Sequence, residues 1–160
     1  MRRVAYDRVA AVEYARRWAM NRNPKYYDFE HIGGDCTNFV SQCLFAGSGT
    51  MNYTPVSGWY YRSLSDRAPA WSSVKYLYQF LLQKDIVGPR ATVVTARNAL
   101  LGDIVQLGRK DGHFYHTLII TEISPQISVT AHSYDALYRP LTSYEYEMAR
   151  FLHIETVIKG

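Results

Sequence analysis

Gly33-Gly34-Asp35-Cys36-Thr37-Asn38-Phe39-Val40-Ser41-Gln42-Cys43-Leu44 places a thiol where a glycine-bearing loop turns into an amphipathic helix. Phe39, Val40, Cys43 and Leu44 recur at helical spacing, which buries one side of the helix and holds Cys36 at its tip. A helix start leaves backbone N–H groups unpaired, and the aligned peptide dipoles add partial positive charge, so a cysteine there is biased toward the reactive thiolate. The competing reading is a small buried hydrophobe, the usual fate of a free cysteine. The helix is expected to run from near Cys36 to Phe45 and to end before Gly47. Cys43 lies about two turns on, roughly 10 Å from Cys36, too far to form a disulfide, and is expected to pack in the core.

A nucleophilic thiol needs an imidazole to take its proton and pass it to the leaving group. The chain holds five histidines, of which His116 opens the β-branched run His116-Thr117-Leu118-Ile119-Ile120-Thr121-Glu122-Ile123. Ser124-Pro125 makes a turn, and Gln126 to His132 resumes the strand pattern, so the segment predicts a hairpin. A two-residue turn leaves His116 and His132 one position out of register. A bulge or a different loop would make them cross-strand neighbours, with His132 orienting His116. A longer loop would bring Asp135 to that role instead, and an exposed strand residue is the bland alternative for His132.

A cysteine at a helix start, a histidine heading a later strand and a polar residue on the next strand resemble the order used by papain-like cysteine hydrolases, including the cell-wall NlpC/P60 and CHAP groups. The likeness is closer to the bacterial amidase domain family known as amidase domain type 6. It is carried by Tyr14-Ala15-Arg16-Arg17-Trp18, Asn23-Pro24-Lys25-Tyr26-Tyr27-Asp28-Phe29, the uninterrupted Gly33 to Gln42 string, Gly102-Asp103-Ile104-Val105-Gln106 and His116-Thr117. The resemblance implies C–N bond hydrolysis, with peptide or amide substrates and peptidoglycan fragments among the candidates.

Around this centre the pattern reads as one α+β domain spanning residues 1–160, papain-like (NlpC/P60-like), with N-terminal helices packed on a small antiparallel β-sheet. Val4 to about Arg22 carries Val9, Val12, Ala15, Trp18 and Ala19 at three- and four-residue steps, a helix stopped before Pro24. Ala46 to Ala70 is rich in Gly, Ser, Pro and aromatics and reads as a long loop or lid. A third helix holds Val74, Leu77, Tyr78, Leu81 and Leu82 and is closed by Gly88-Pro89. Strands are expected at Val93–Thr95, Asp103–Leu107 and Phe151–Ile158.

Composition narrows the class. The 160 residues are 48% hydrophobic and 20% charged, enough for a single real core and unlike a disordered chain. A formal charge of +4 favours an anionic partner, yet no basic run is dense enough for nucleic-acid recognition. No apolar run approaches a membrane span, and a monomer is expected. Arg2-Arg3 is followed by residues too polar for a secretory leader, so the expected location is the cytoplasm, or outside the cell as one domain of a larger secreted protein. Fourteen tyrosines and three tryptophans stand out. Those at Tyr53, Trp59, Tyr60 and Tyr61 either pin the long loop or line a groove for a peptide or sugar.

The expected mechanism is attack by Cys36 on a carbonyl carbon after His116 takes its proton, giving a thioester that water hydrolyses, with His132 fixing the His116 tautomer. The Cys36 N–H would meet the developing oxyanion, with Asn38 either assisting or bracing the helix start. Asp35 is expected to cap the helix through its carboxylate, and Asp103 to be a structural hydrogen-bond partner. Asp35, Cys36, His116 and His132 offer metal-ligand chemistry but lack the paired spacing of a zinc site, so no metal or organic cofactor is expected. An acyltransferase on the same scaffold and a binding module without turnover are the alternative functions.

Overall fold

The computed structural model describes residues 1–160. In chain order the elements are β1 (Arg2–Val4), α1 (Arg8–Trp18), α2 (Cys36–Ser48), β2 (Tyr61–Ser63), β3 (Asp66–Arg67), α3 (Pro69–Ser72), α4 (Val74–Leu82), β4 (Gly88–Val94), β5 (Ile104–Gly108), β6 (Phe114–Glu122), β7 (Ser128–Ala131), β8 (Ala136–Pro140) and β9 (Met148–Lys159). Seven strands form one sheet with every pairing antiparallel, while β2 and β3 form a separate hairpin. The long β9 organises the sheet. One edge carries β4, and the other is shared between β5 along its first half and β1 at its end, after which β6, β7 and β8 follow in order. The fold is α+β, as the segregation of helical and strand patterns predicts. No helix is long and apolar enough to cross a membrane.

Successive strand residues face opposite sides of a sheet, and the two sides here have different covers. Ile104, Ile119, Leu152, Ile154 and Val157 point to the helices and join Phe39, Val40, Cys43, Leu44, Trp59, Trp71, Leu77 and Phe80 in the main core. Val105, Leu107, Leu118, Ile120 and Val129 face the other way, onto a smaller cluster closed by Ala99, Leu141 and Tyr144. Cys43 is fully buried, as expected.

The first helix is shorter than its apolar pattern suggests. Asp7 stops it on the N-terminal side, accepting the Ala10 N–H at 2.9 Å, and residues 2–4 pair with β9 instead. Val9 is 73% exposed because the helix turns Arg8, Ala11 and Ala15 inward. Arg8 reaches Asp103 at 2.7 Å and the Ile154 carbonyl at 2.6 Å. Asp103 also accepts the Leu100 and Ile154 N–H groups and faces His153 Nδ1 at 2.8 Å, making it the structural partner the sequence suggested.

Gly47 does not end α2. The helix continues to Ser48 and stops at Gly49, whose φ of 66° is left-handed. Gly47 instead lets the incoming chain lie against the helix: a Cβ there would sit 2.4 Å from the Tyr6 ring and 2.8 Å from the Asp7 carbonyl oxygen. The aromatic loop is likewise no lid over a groove. Trp59 inside the loop and Trp71 on α3 just after it are fully buried behind α2, where Trp59 Nε1 donates to Ser41 Oγ at 3.0 Å and Trp71 Nε1 to Asn38 Oδ1 at 2.9 Å. Burial of such large rings is what holds this irregular segment down.

Candidate active site

Gly33 and Gly34 have φ of 84° and 96°, values that residues with a Cβ rarely adopt, and they turn the chain sharply into α2. Position 34 is also crowded, since a Cβ would lie 3.1 Å from Ser133 Oγ. Cys36 is the first residue of α2 and its N–H makes no hydrogen bond within the protein. The helix is fastened to β6 directly behind the cysteine by the Thr37 and Thr117 hydroxyls, 2.9 Å apart.

Cys36 and His116 line one cleft of about 540 Å³, together with Gly33, Gly34, Leu107, Ser133, Arg139 and Tyr144. The two side chains share the cleft without a hydrogen bond between them. Burial pushes the Cys36 thiol up, against the pull of the Thr117 N–H and of the Thr37 hydroxyl and N–H. This corrects the expectation of a ready thiolate: desolvation outweighs the helix start. Burial, and secondly the charge of Arg139, hold the His116 imidazole down to about 4. The resting pair is therefore a neutral thiol and a neutral imidazole, and proton transfer has to accompany attack.

His132 does not orient His116. Ile119 pairs with Thr130 and Ile120 with Val129, and that register sets His132 across from Thr117 on the helix-covered face, whereas His116 faces the other side. The one irregularity lies toward the turn, between Ile120 and Glu122, so it leaves this offset in place. His132 is buried flat against Phe39, ring centroids 3.9 Å apart, with Nδ1 2.5 Å from Asp35 Oδ2 and Nε2 2.8 Å from the Trp18 carbonyl. Both ring nitrogens are thus engaged away from His116. Asp135, the alternative orienter, forms a two-pronged pair with Arg22 at 2.8 and 3.0 Å.

Asp35 stands at the N-cap position but makes no capping hydrogen bond. Its buried carboxylate accepts from the Phe29 N–H and Asn38 Nδ2, each at 2.9 Å, besides its bond to His132. Asn38 also donates to the Tyr27 carbonyl and accepts from Trp71, so its amide is committed to bracing the helix start. Sequence reasoning missed Arg22, which lies within salt-bridge distance of Asp28, Glu30, Asp35 and Asp135. The cluster of carboxylates downstream of a single arginine was the only local signal. Arg22 ties the α1 exit, the loop before α2 and the β7–β8 turn into one network beneath the cleft.

The class is an α+β domain built on one antiparallel sheet, with a cysteine and a histidine lining one cleft. The family model described as "Putative amidase domain" matches residues 5–154, and the chain belongs to that family. It is 36% identical over 146 residues to the uncharacterized protein YhbB of Bacillus subtilis (strain 168), covering 88% of this chain and 45% of YhbB. To the uncharacterized protein YjcM of the same organism it is 30% identical over 146 residues, covering 84% of this chain and 32% of YjcM. The chain thus spans less than half the length of these relatives. No solved structure matches it.

Proposed function

We propose that this domain is a cysteine-dependent amidase or peptidase with papain-like organisation, cleaving a C–N bond through a thioester. The observation that carries the reading is the convergence of Cys36, at the unpaired start of α2, and His116, on β6, upon one cleft. Neutral His116 takes the Cys36 proton as sulfur attacks the carbonyl carbon, and the Cys36 N–H donates to the oxygen that becomes negative. The C–N bond breaks as His116 returns that proton to the departing nitrogen. Water, deprotonated by His116, then attacks the thioester. The acid leaves and sulfur recovers its proton. His132 and Asp35 act only by holding α2 in place.

The test is a screen of simple peptides, carboxamides and peptidoglycan peptides by mass spectrometry. Cys36→Ala is expected to abolish turnover, and His116→Ala to reduce it by about 10²–10⁴-fold. Iodoacetamide is expected to label Cys36 ahead of the fully buried Cys43, with the Cys36 rate still climbing above pH 9, since burial raises its thiol. Turnover that survives Cys36→Ala would refute the mechanism. Absence of turnover, with equal slow labelling of both thiols, would leave a binding module.

A further inference from the structure

The cleft has a corner rich in donors and poor in acceptors. Arg139 is anchored there by its own neighbours: Nε donates to Ser143 Oγ at 2.8 Å, Nη2 to the Ser143 carbonyl at 3.1 Å, and the guanidinium carbon sits 3.7 Å from the centre of the Tyr144 ring. Its Nη1 makes no hydrogen bond in the protein, and no carboxylate lies within salt-bridge distance. The Tyr144 hydroxyl is buried beside the Arg139 guanidinium and has no hydrogen-bond acceptor. A buried hydroxyl with nowhere to donate is destabilising, and such groups in native proteins call for an explanation. Of the two acidic residues lining the cleft, Glu30 is held by Arg22 at 3.1 Å, and Glu145 is exposed.

We infer that Arg139 and Tyr144 bind a carboxylate carried by the leaving amine, so that the substrates of the proposed hydrolase are N-acyl amino acids or peptides cut next to a free carboxylate. This rests on the hydrolase reading above and narrows its substrate class. The side of the substrate follows from position. The Tyr144 ring centre lies 6.0 Å from that of His116, the residue that protonates the departing nitrogen, whereas the acyl half stays on Cys36. A carboxylate one carbon from that nitrogen presents acceptor oxygens to the unpaired Arg139 Nη1 and, once the ring turns its covered hydroxyl toward the cleft, to Tyr144. The net reaction adds water across the C–N bond, yielding the free acid and an amino acid. A bound carboxylate would also offset the Arg139 charge, which with burial keeps the His116 imidazolium unfavourable, so the correct substrate would ease formation of the acid that expels it.

The experiment compares N-benzoylglycine with N-benzoylglycinamide, ligands that differ at the terminal carboxylate. Calorimetric titration of the Cys36→Ala protein reads binding without turnover, and the unmodified protein gives kcat/KM for both. The carboxylate ligand is expected to be preferred by about tenfold or more, the size of one charge-assisted hydrogen bond. Arg139→Gln should bring the ratio close to one, Tyr144→Phe should reduce it, and Arg139→Lys should keep part of it. A preference in binding with no turnover of N-benzoylglycine would keep the carboxylate corner but overturn its assignment to the leaving amine, and leave the hydrolase reading to the wider substrate screen. Equal affinity for both ligands, binding of neither, or a ratio unchanged by Arg139→Gln would overturn the corner whatever the turnover.

Discussion

Removing the Asp35 carboxylate should unfold this protein far more readily than removing any exposed acid. Asp35 is 1% exposed, and Asp35→Ala strips the acceptor from the Phe29 N–H, from Asn38 Nδ2 and from His132 Nδ1. Leaving a buried donor unpaired costs about 1–3 kcal/mol. Asn38 keeps its bond to the Tyr27 carbonyl, so its loss is partial, whereas the Phe29 N–H and the His132 ring lose theirs outright. The sum is about 3–5 kcal/mol. For a domain of this length each kcal/mol moves the midpoint by about 2–4 °C, so Tm should fall by about 6–20 °C. Asp135→Ala is the control. It breaks the two-pronged pair with Arg22, but at a site where solvent can replace the interaction, and should cost about 1 kcal/mol or less. Thermal and urea unfolding followed by circular dichroism would measure both. A loss below about 1 kcal/mol for Asp35→Ala would show that the network beneath α2 is not what holds the helix start.

Two further outcomes are expected. With His116 held down to about 4, the acidic limb of kcat/KM should fall near pH 4, because protonation below that value removes the base; a limb near the ordinary histidine value would refute the neutral-imidazole assignment. Gly47→Ala gains about 1 kcal/mol of helix propensity but drives a methyl to within 2.8 Å of the Asp7 carbonyl oxygen, so overpacking of about 1–3 kcal/mol should leave the variant less stable, as urea unfolding would read.

The parts of this molecule that were legible in the sequence are those whose cause is local. Cys36 sits at a helix start because glycines with left-handed φ precede it and helical spacing follows, and both are visible within twelve residues. His116 heads a β-branched run, and Asp103 opens a strand whose neighbours need its carboxylate. What could not be read depends on residues far apart in sequence. Spacing alone groups Val9 with the apolar stripe of α1, yet it is exposed. The inward face of α1 is instead set by Arg8, drawn to an aspartate 95 positions away. Gly47 carries the signature of a helix stop and serves close approach by Tyr6. The three-residue β1 is too short to show a period. Partners for His132 could be guessed only within its own hairpin, while those it has, Asp35 and the Trp18 carbonyl, come from the start of one helix and the end of another.

That last mismatch bears on how the site works. A histidine placed to orient His116 would raise its basicity; here the second histidine stabilises the nucleophile's helix, and His116 is left in a half-buried position beside a guanidinium, with its proton affinity low. The thiol is likewise pushed toward its neutral form. Under the proposed mechanism a site so arranged gains nothing from a preformed ion pair, so its rate would depend on what the substrate supplies on arrival. The carboxylate-binding corner provides one such source, because an anion at Arg139 removes the repulsion that disfavours the imidazolium at the stage when His116 must carry a proton. The same logic accounts for the rigid bracing under α2. With no ion pair to draw the proposed reacting groups together, their alignment would depend on Asp35, Asn38, His132 and Arg22 holding the helix start still while the Cys36 N–H stays unpaired.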